Sequence, residues 1–321
     1  MAQQYADKIG RTLIVGGAGY VGGCLTDILS PQADVVVYDS LLYEDRYLKD
    51  VEFVHGDVRD RDKLLRIIND FDTIVWLAAV VGDGACTINP EATKTINQDS
   101  ISWLVDNYKN GRVVFASTCS VYGSTEVMTD ENSEINPLSL YASTKLGAEQ
   151  YIKANFPQHL ILRFGTLFGV GDRFSRPRFD LVVNTLTQRA ITTGSLDVFG
   201  GEQWRPILHV RDAAGAIAFG IRNTIFGMYN VAYDNFRVSE LAKIVAQHVD
   251  RVNINYCDMP YEDLRNYRTS SDAYRALGWS PNYDIHDGIL EIVNILGRLK
   301  NPRLKLYSNH SYIGELDVTT I

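Results

Sequence analysis

Near the amino terminus a short apolar run, Thr12-Leu13-Ile14-Val15, breaks into Gly16-Gly17-Ala18-Gly19-Tyr20-Val21-Gly22 and continues as a helical pattern over Tyr20–Leu29. Glycines three residues apart, between a strand and a helix, constrain this chain more than any other segment. Without side chains the backbone can turn tightly and approach a ligand closely. The helix amino terminus then presents free N–H groups and positive partial charge to a phosphate. The spacing is Gly-x-x-Gly-x-x-Gly, where the commonest dinucleotide loops have Gly-x-Gly-x-x-Gly. Gly17 blurs that difference. Gly16, Gly19, Tyr20, Val21 and Gly22 are therefore expected to cradle a dinucleotide pyrophosphate.

Further β-branched runs follow at Val35-Val36-Val37-Tyr38, Val51–Val54, Thr73–Leu77, Arg112–Ala116 and Leu160–Arg163, with helical stretches between them. Continuous apolar strands of this kind predict a parallel sheet covered on both faces. Six of them predict an α/β, doubly wound, Rossmann-type fold. The character changes near Gly169, where Arg173, Arg176 and Arg178 crowd together. A helix from Arg178 to about Thr192, short strands at Leu196–Phe199 and Ile207–His209, and helices at Val238–Val249 and Asp287–Leu299 are expected there. The resulting organisation is a dinucleotide-binding domain over 1–175, to which segments near 205–232 return. A smaller α/β substrate lobe covers 176–300. A C-terminal extension covers 301–321, either packed or a loose tail.

Bulk properties exclude several function classes. The net charge is −8, which disfavours nucleic acid as a partner. Cys24, Cys86, Cys119 and Cys257 are scattered without a Cys-x-x-Cys pair, so neither a metal site nor a disulfide framework is expected. The first eight residues are polar, and no apolar run reaches the ~18 residues of a membrane span. A soluble, cytoplasmic protein is the expectation.

Asp39 lies 20 residues after Gly19, at the end of the second strand. A carboxylate there accepts hydrogen bonds from ribose hydroxyls and repels a 2′-phosphate, which favours NAD over NADP. The nearest following arginine is Arg46. Gly56-Asp57-Val58 follows the third strand, within reach of an adenine. Tyr141-Ala142-Ser143-Thr144-Lys145 follows the fifth strand and opens a helix expected from Pro137 to about Asn155, which sets Tyr141 and Lys145 on one face. A phenol of pKa near ~10 is a poor base at neutral pH. A neighbouring ammonium is expected to lower it. Ser117-Thr118-Cys119-Ser120 supplies hydroxyls at the end of the fifth strand.

Together these segments resemble the extended short-chain dehydrogenase/reductases, specifically the NAD-dependent nucleotide-sugar epimerase/dehydratase group. The resemblance spans about residues 10–300 and rests on six further segments besides the glycine loop. They are Gly56-Asp57-Val58, Leu77-Ala78-Ala79, Ser117–Gly123, Tyr141–Lys145, Arg205–Asp212 and Ala276-Leu277-Gly278-Trp279. The resemblance implies that Thr118, Tyr141 and Lys145 are catalytic, with Tyr141 the acid/base and Lys145 the holder of the nicotinamide ribose. It implies that Asp39, Asp57, Val58, Leu77, Ala78 and Ala79 join the glycine loop in binding NAD. Arg205 matches an arginine that clamps a substrate diphosphate, Arg265 matches a second more loosely, and Arg178 joins them as a candidate. The other reading of this arginine cluster is a set of ordinary ion pairs. A homodimer is implied, formed through the helix after Pro90 and the Tyr141 helix.

Two departures narrow the chemistry. Dehydratases of the group carry Asp-Glu directly after the catalytic threonine, whereas this chain has Cys119 and Ser120, neither a competent acid for eliminating water. The segment Arg163-Phe164-Gly165-Thr166 lacks the asparagine usual in galactose-type epimerases. Val80-Val81-Gly82-Asp83-Gly84-Ala85-Cys86 with Asn89-Pro90 resembles sugar epimerases and 4-oxidoreductases of surface-polysaccharide pathways. Asp83 reads first as a loop cap and second as an acid/base. His209 reads as structural. The leading expectation is epimerisation of a nucleotide sugar through a transient 4-keto intermediate. A net 4-dehydrogenase or 4-reductase, or a non-catalytic NAD-sensing protein, are the alternatives.

Overall fold

The computed structural model describes residues 9–258, 265–298 and 307–316. The polar first eight residues, and 301–306 and 317–321 of the expected extension, lie outside the described residues. Among those described, the strands are β1 (Thr12–Val15), β2 (Val35–Asp39), β3 (Glu52–His55), β4 (Thr73–Trp76), β5 (Arg112–Thr118), β6 (Ser124–Thr129) and β7 (His159–Phe164). They continue as β8 (Thr166–Phe168), β9 (Ser195–Phe199), β10 (Trp204–His209), β11 (Gly227–Val231), β12 (Asp234–Arg237), β13 (Asn253–Cys257) and β14 (Asn266–Thr269).

Seven strands form one parallel sheet in the order β11-β7-β5-β4-β1-β2-β3. Every residue of β1 and β4 is buried, while the edge strand β3 is partly open, as its position demands. The seventh strand, β11, lies beyond the six read from the sequence and pairs in parallel with β7. Helices cover both faces. On one face, Leu25 and Leu29 of the helix Tyr20–Leu29 share a core with Ala213, Ala214, Ile217 and Ile221 of the helix Val210–Arg222. On the other, Leu64, Ile101, Leu104, Ala148 and Ile152 pack over Leu13, Val36, Ile74 and Phe115. Burying each of the leucine, isoleucine, valine and phenylalanine side chains contributes about 1.5–3 kcal/mol before chain entropy is charged against it.

From β1 the chain runs outward through β2 to β3, then crosses back to β4 on the other side of β1. That reversal leaves a crevice at the carboxyl ends of β1 and β4, where doubly wound sheets bind ligands. Three small sheets, β12-β10-β8, β13-β9 and β14-β6, stand beside it. A separate core of Val183, Leu186, Leu196, Val198, Ile207, Leu241 and Ile289 supports the first two, while Tyr267 of β14 packs with Cys119, Val121 and Tyr122.

The helix Leu140–Asn155 begins where Ser139 caps it by accepting from Ala142 N at 3.2 Å. Beside it run the helices Pro90–Lys94 and Ser100–Asn107, joined by a π-helical turn at Thr95–Asp99. Such single-turn widenings are frequent at functional sites. Here the turn places buried Asn97 where it accepts from Val80 N at 2.8 Å and donates to Val80 O at 2.9 Å, while lying against Thr144. One amide thus ties the loop after β4 to the helix that carries Tyr141.

Candidate active site

The glycine loop turns at the end of β1. Gly16 has φ +85°, a left-handed conformation that favours glycine, and a Cβ there would stand 2.5 Å from the Ala78 backbone nitrogen. A Cβ on Gly22 would collide with the Gly16 carbonyl oxygen. The carboxylate of Asp39 staples the loop, with Oδ2 accepting from Ala18 N at 3.0 Å and Oδ1 from Leu41 N at 2.8 Å. Burial raises its pKa, and those hydrogen bonds only partly offset the rise. Tyr20 donates its hydroxyl to Gly169 O at 2.6 Å, so it gives the cavity a ring wall and backbone in place of a free hydroxyl. Val21, Val58, Leu77, Ala78 and Ala79 line the same cavity. Asp57 lines it too, with its carboxylate forked by Arg59 at 2.9 and 2.7 Å. Burial alone would raise the Asp57 pKa, but Arg59 outweighs it and the net shift is downward. Arg59 itself went unnoticed in the sequence.

Thr118 ends β5 and lines the cavity with Tyr141 and Lys145. Its Oγ accepts from Ser120 N at 3.1 Å, closing the turn into the 3-10 segment Cys119–Tyr122. Cys119 points away, fully buried, with Sγ donating to Arg163 O at 3.2 Å and burial pushing its pKa up to about 12. Ser120 faces the cavity and meets the Tyr267 hydroxyl at 3.1 Å.

The expected effect of Lys145 on Tyr141 is not what this geometry gives. Lys145 sits one turn along, but its ammonium donates to Ala116 O at 2.9 Å and stands 4.7 Å over the Phe115 ring. Burial dominates Tyr141 and raises its pKa, with Cys86 and Asp83 reinforcing the rise and Arg178 opposing it. Burial also lowers Lys145 to about 8, against Cys86 and Glu149. Helical spacing put the two residues on one face, yet the lysine chain was long enough to reach the sheet instead. Behind it, buried Glu149 receives the guanidinium of Arg163 at 2.6 Å and the Ser117 hydroxyl.

Of the three candidate substrate arginines, each lines the cavity and each is engaged. Arg205, on β10, donates to Trp204 O at 2.8 Å and Arg265 O at 2.5 Å. Arg265 pairs with Asp83 Oδ2 at 2.5 Å. Asp83 therefore holds an arginine across the cavity and does not cap a loop with its side chain. Arg178 is forked onto Asp180 at 2.7 and 3.0 Å. Burial alone would lower its pKa, but the carboxylate reverses that. A guanidinium so occupied has less of its fork left for a phosphate than the sequence suggested. His209 is fully buried between Glu291 and the Tyr283 ring, a structural placement.

The helix Asn309–Glu315 was missed altogether. Ser308 caps it, and Asn309, His310 and Leu316 line the cavity. The sequence signal was slight: Tyr312, Ile313 and Leu316 at helical spacing inside a polar stretch.

A profile of the NAD dependent epimerase/dehydratase family matches residues 12–232, more than half of the chain. The chain belongs to that family. Its relatives include a putative UDP-glucose 4-epimerase of Methanocaldococcus jannaschii, 29% identical over 88% of this chain and 97% of that protein. Among solved structures, a Thermus thermophilus UDP-glucose 4-epimerase in complex with NAD aligns with TM-score 0.76 at 24% identity, over 90% of this chain and 100% of that one. A Bacillus anthracis dTDP-glucose 4,6-dehydratase in complex with NAD aligns with the same TM-score, 0.76, at 20% identity over 90% and 97%. These likenesses fix the fold, and the fold serves epimerases and dehydratases alike.

NAD is this family member's cofactor, and the residues present fit it. The glycine loop leaves a cradle that side chains would fill, and Asp39 closes its far end. The cavity of about 1440 Å³ exceeds the roughly 300–1,000 Å³ of a single small-molecule pocket, leaving room for a second ligand beside a dinucleotide. Asp39 predicts the cofactor preference: NADH is expected to bind at least about tenfold more tightly than NADPH, a gap of ~1.4 kcal/mol. Fluorescence titration measures both, and equal affinities would contradict the role of Asp39. Among the described residues, no helix is long and apolar enough to cross a membrane. None of their His, Cys, Asp and Glu groups is arranged to hold a metal.

Proposed function

We propose that this chain is a nucleotide-sugar epimerase acting through a transient 4-keto sugar. The observation that carries this reading is that Thr118, Tyr141 and the glycine loop share one cavity, and that neutral residues, Ser120 in its wall and Cys119 buried behind it, stand where dehydratases of the family carry acids. NAD held by the glycine loop would supply the hydride acceptor and donor, and its nicotinamide charge would favour the phenolate of Tyr141 against burial. As that phenolate, Tyr141 takes the hydroxyl proton from the sugar oxygen and gives it back after the sugar has rotated. Thr118 holds that oxygen by a hydrogen bond. Lys145, in the cavity wall, would hold the nicotinamide ribose. Arg205 and Arg265 bind the diphosphate, and Arg178 adds to the positive field at its edge. Holding both partners in place supplies much of the acceleration.

The test is a panel of nucleotide sugars incubated with the purified protein, with products read by NMR. A 4-epimer formed without stoichiometric NADH supports the reading. A 4-keto product with matching NADH would make the protein a net oxidoreductase. No conversion with NAD still bound would leave it a sensing protein on the same fold.

A further inference from the structure

The C-terminal helix touches both rims of the cofactor cleft. On the rim that follows Asp39, Tyr312 lies 5.3 Å from the Tyr43 ring. Arg176 stands beside both rings, with its guanidinium 4.2 Å over Tyr43 and 5.6 Å over Tyr312, and its backbone N–H donates to Glu44 at 2.9 Å. On the rim that follows β4, Asn309 donates its side-chain amide to Val81 O at 2.9 Å, and His310 lies against Gly84. Ile313 is buried with Val80, Ala85 and Cys86, in the cluster that also receives Tyr141 and Leu316.

The crossing is built and not incidental. Asn309 is 1% exposed, and each of its groups is used: its N–H donates to Asp180 at 3.1 Å, its amide donates to Val81, and its oxygen accepts from Arg176. Phe179 N donates to Tyr307 O at 2.8 Å and anchors the near end. An amide so satisfied fixes one arrangement of the segments that meet at it. The rims it joins belong to the two halves of the dinucleotide cradle, the Asp39 side and the Ala78–Val81 side.

We propose that Tyr307–Leu316 is a clasp over the cofactor site, which keeps NAD resident through successive turnovers. Asn309, Tyr312 and Arg176 are its positioning residues. The inference rests on NAD occupying the cleft and not on which sugar is converted. A resident cofactor suits chemistry that oxidises and re-reduces one molecule in place, so it also bears on the epimerase reading.

The experiment uses the full chain loaded with NADH and no sugar. The rate at which fluorescent cofactor leaves is followed after dilution into excess NAD, for the parent and for Tyr312→Ala and Asn309→Ala separately. Each variant is expected to release cofactor at least about tenfold faster, since such changes fall mainly on dissociation. Each is also expected to depend on added NAD during turnover, where the parent does not. The sheet core lies elsewhere, so both variants should keep the parent's unfolding transition. If Asn309→Ala alone fails to fold, Tyr312→Ala still decides. Release rates within about twofold of the parent in the folded variants would overturn the clasp, whatever the sugar panel gives. Faster release with no epimerisation would leave the clasp standing and remove the epimerase.

Discussion

Replacing Tyr141 by phenylalanine is expected to lower kcat by about 10²–10⁴-fold, the range typical of a lost general acid–base group. NAD binding should be unchanged. The substitution removes one hydroxyl and keeps the ring, which packs with Leu140, Ile96 and Leu316 around Val80 and Cys86. The glycine loop and Asp39 are untouched. Steady-state assays on a converted nucleotide sugar give the first quantity, and cofactor titration gives the second. Turnover within about threefold of the parent would place the proton transfer on another group, with Asp83 next in line because its charge already bears on the phenol.

Replacing Glu149 by alanine is expected to cost about 3–5 kcal/mol of stability, because it strands a buried cation. Arg163 and Glu149 are each 1% exposed. Arg163 also donates to the Tyr122 hydroxyl at 3.0 Å, and that hydroxyl donates to Asn230 at 2.8 Å, so the charge has neutral company but no second carboxylate among its hydrogen-bond partners. The combined change of Glu149 to leucine and Arg163 to methionine should recover most of the loss, since apolar groups of similar volume need no partner. Denaturant unfolding measures all three proteins. A loss below ~1 kcal/mol for the single variant would make this pair no stronger than a surface ion pair.

The fold was legible where local pattern and tertiary burial agree. Thr12–Val15, the glycines and the helix after them read correctly because one geometry satisfies strand, turn and helix at once. β11 escaped notice because Gly227, Tyr229 and Asn230 make a poor apolar run. Its strand state comes from pairing with β7, and Asn230 is there for Tyr122. At the site, residue types were legible but pairings were not. The Arg178–Asp180 fork joins residues two apart, a spacing that helical patterns do not flag. Arg265 and Asp83 are 182 positions apart, and nothing in one sequence links them. Lys145 shows the opposite limit: spacing fixed its helix face and left the end of its side chain free to choose.

The pairing of the helix Tyr20–Leu29 with Val210–Arg222 sets a delay in biosynthesis. The apolar face made first has its covering helix made almost two hundred residues later. At roughly 5–20 residues per second, that face waits on the order of ten to forty seconds on the ribosome before its cover exists. Parallel strands with distant partners fold slowly for the same reason. A nascent chain stalled before Val210 would therefore be a client for chaperones.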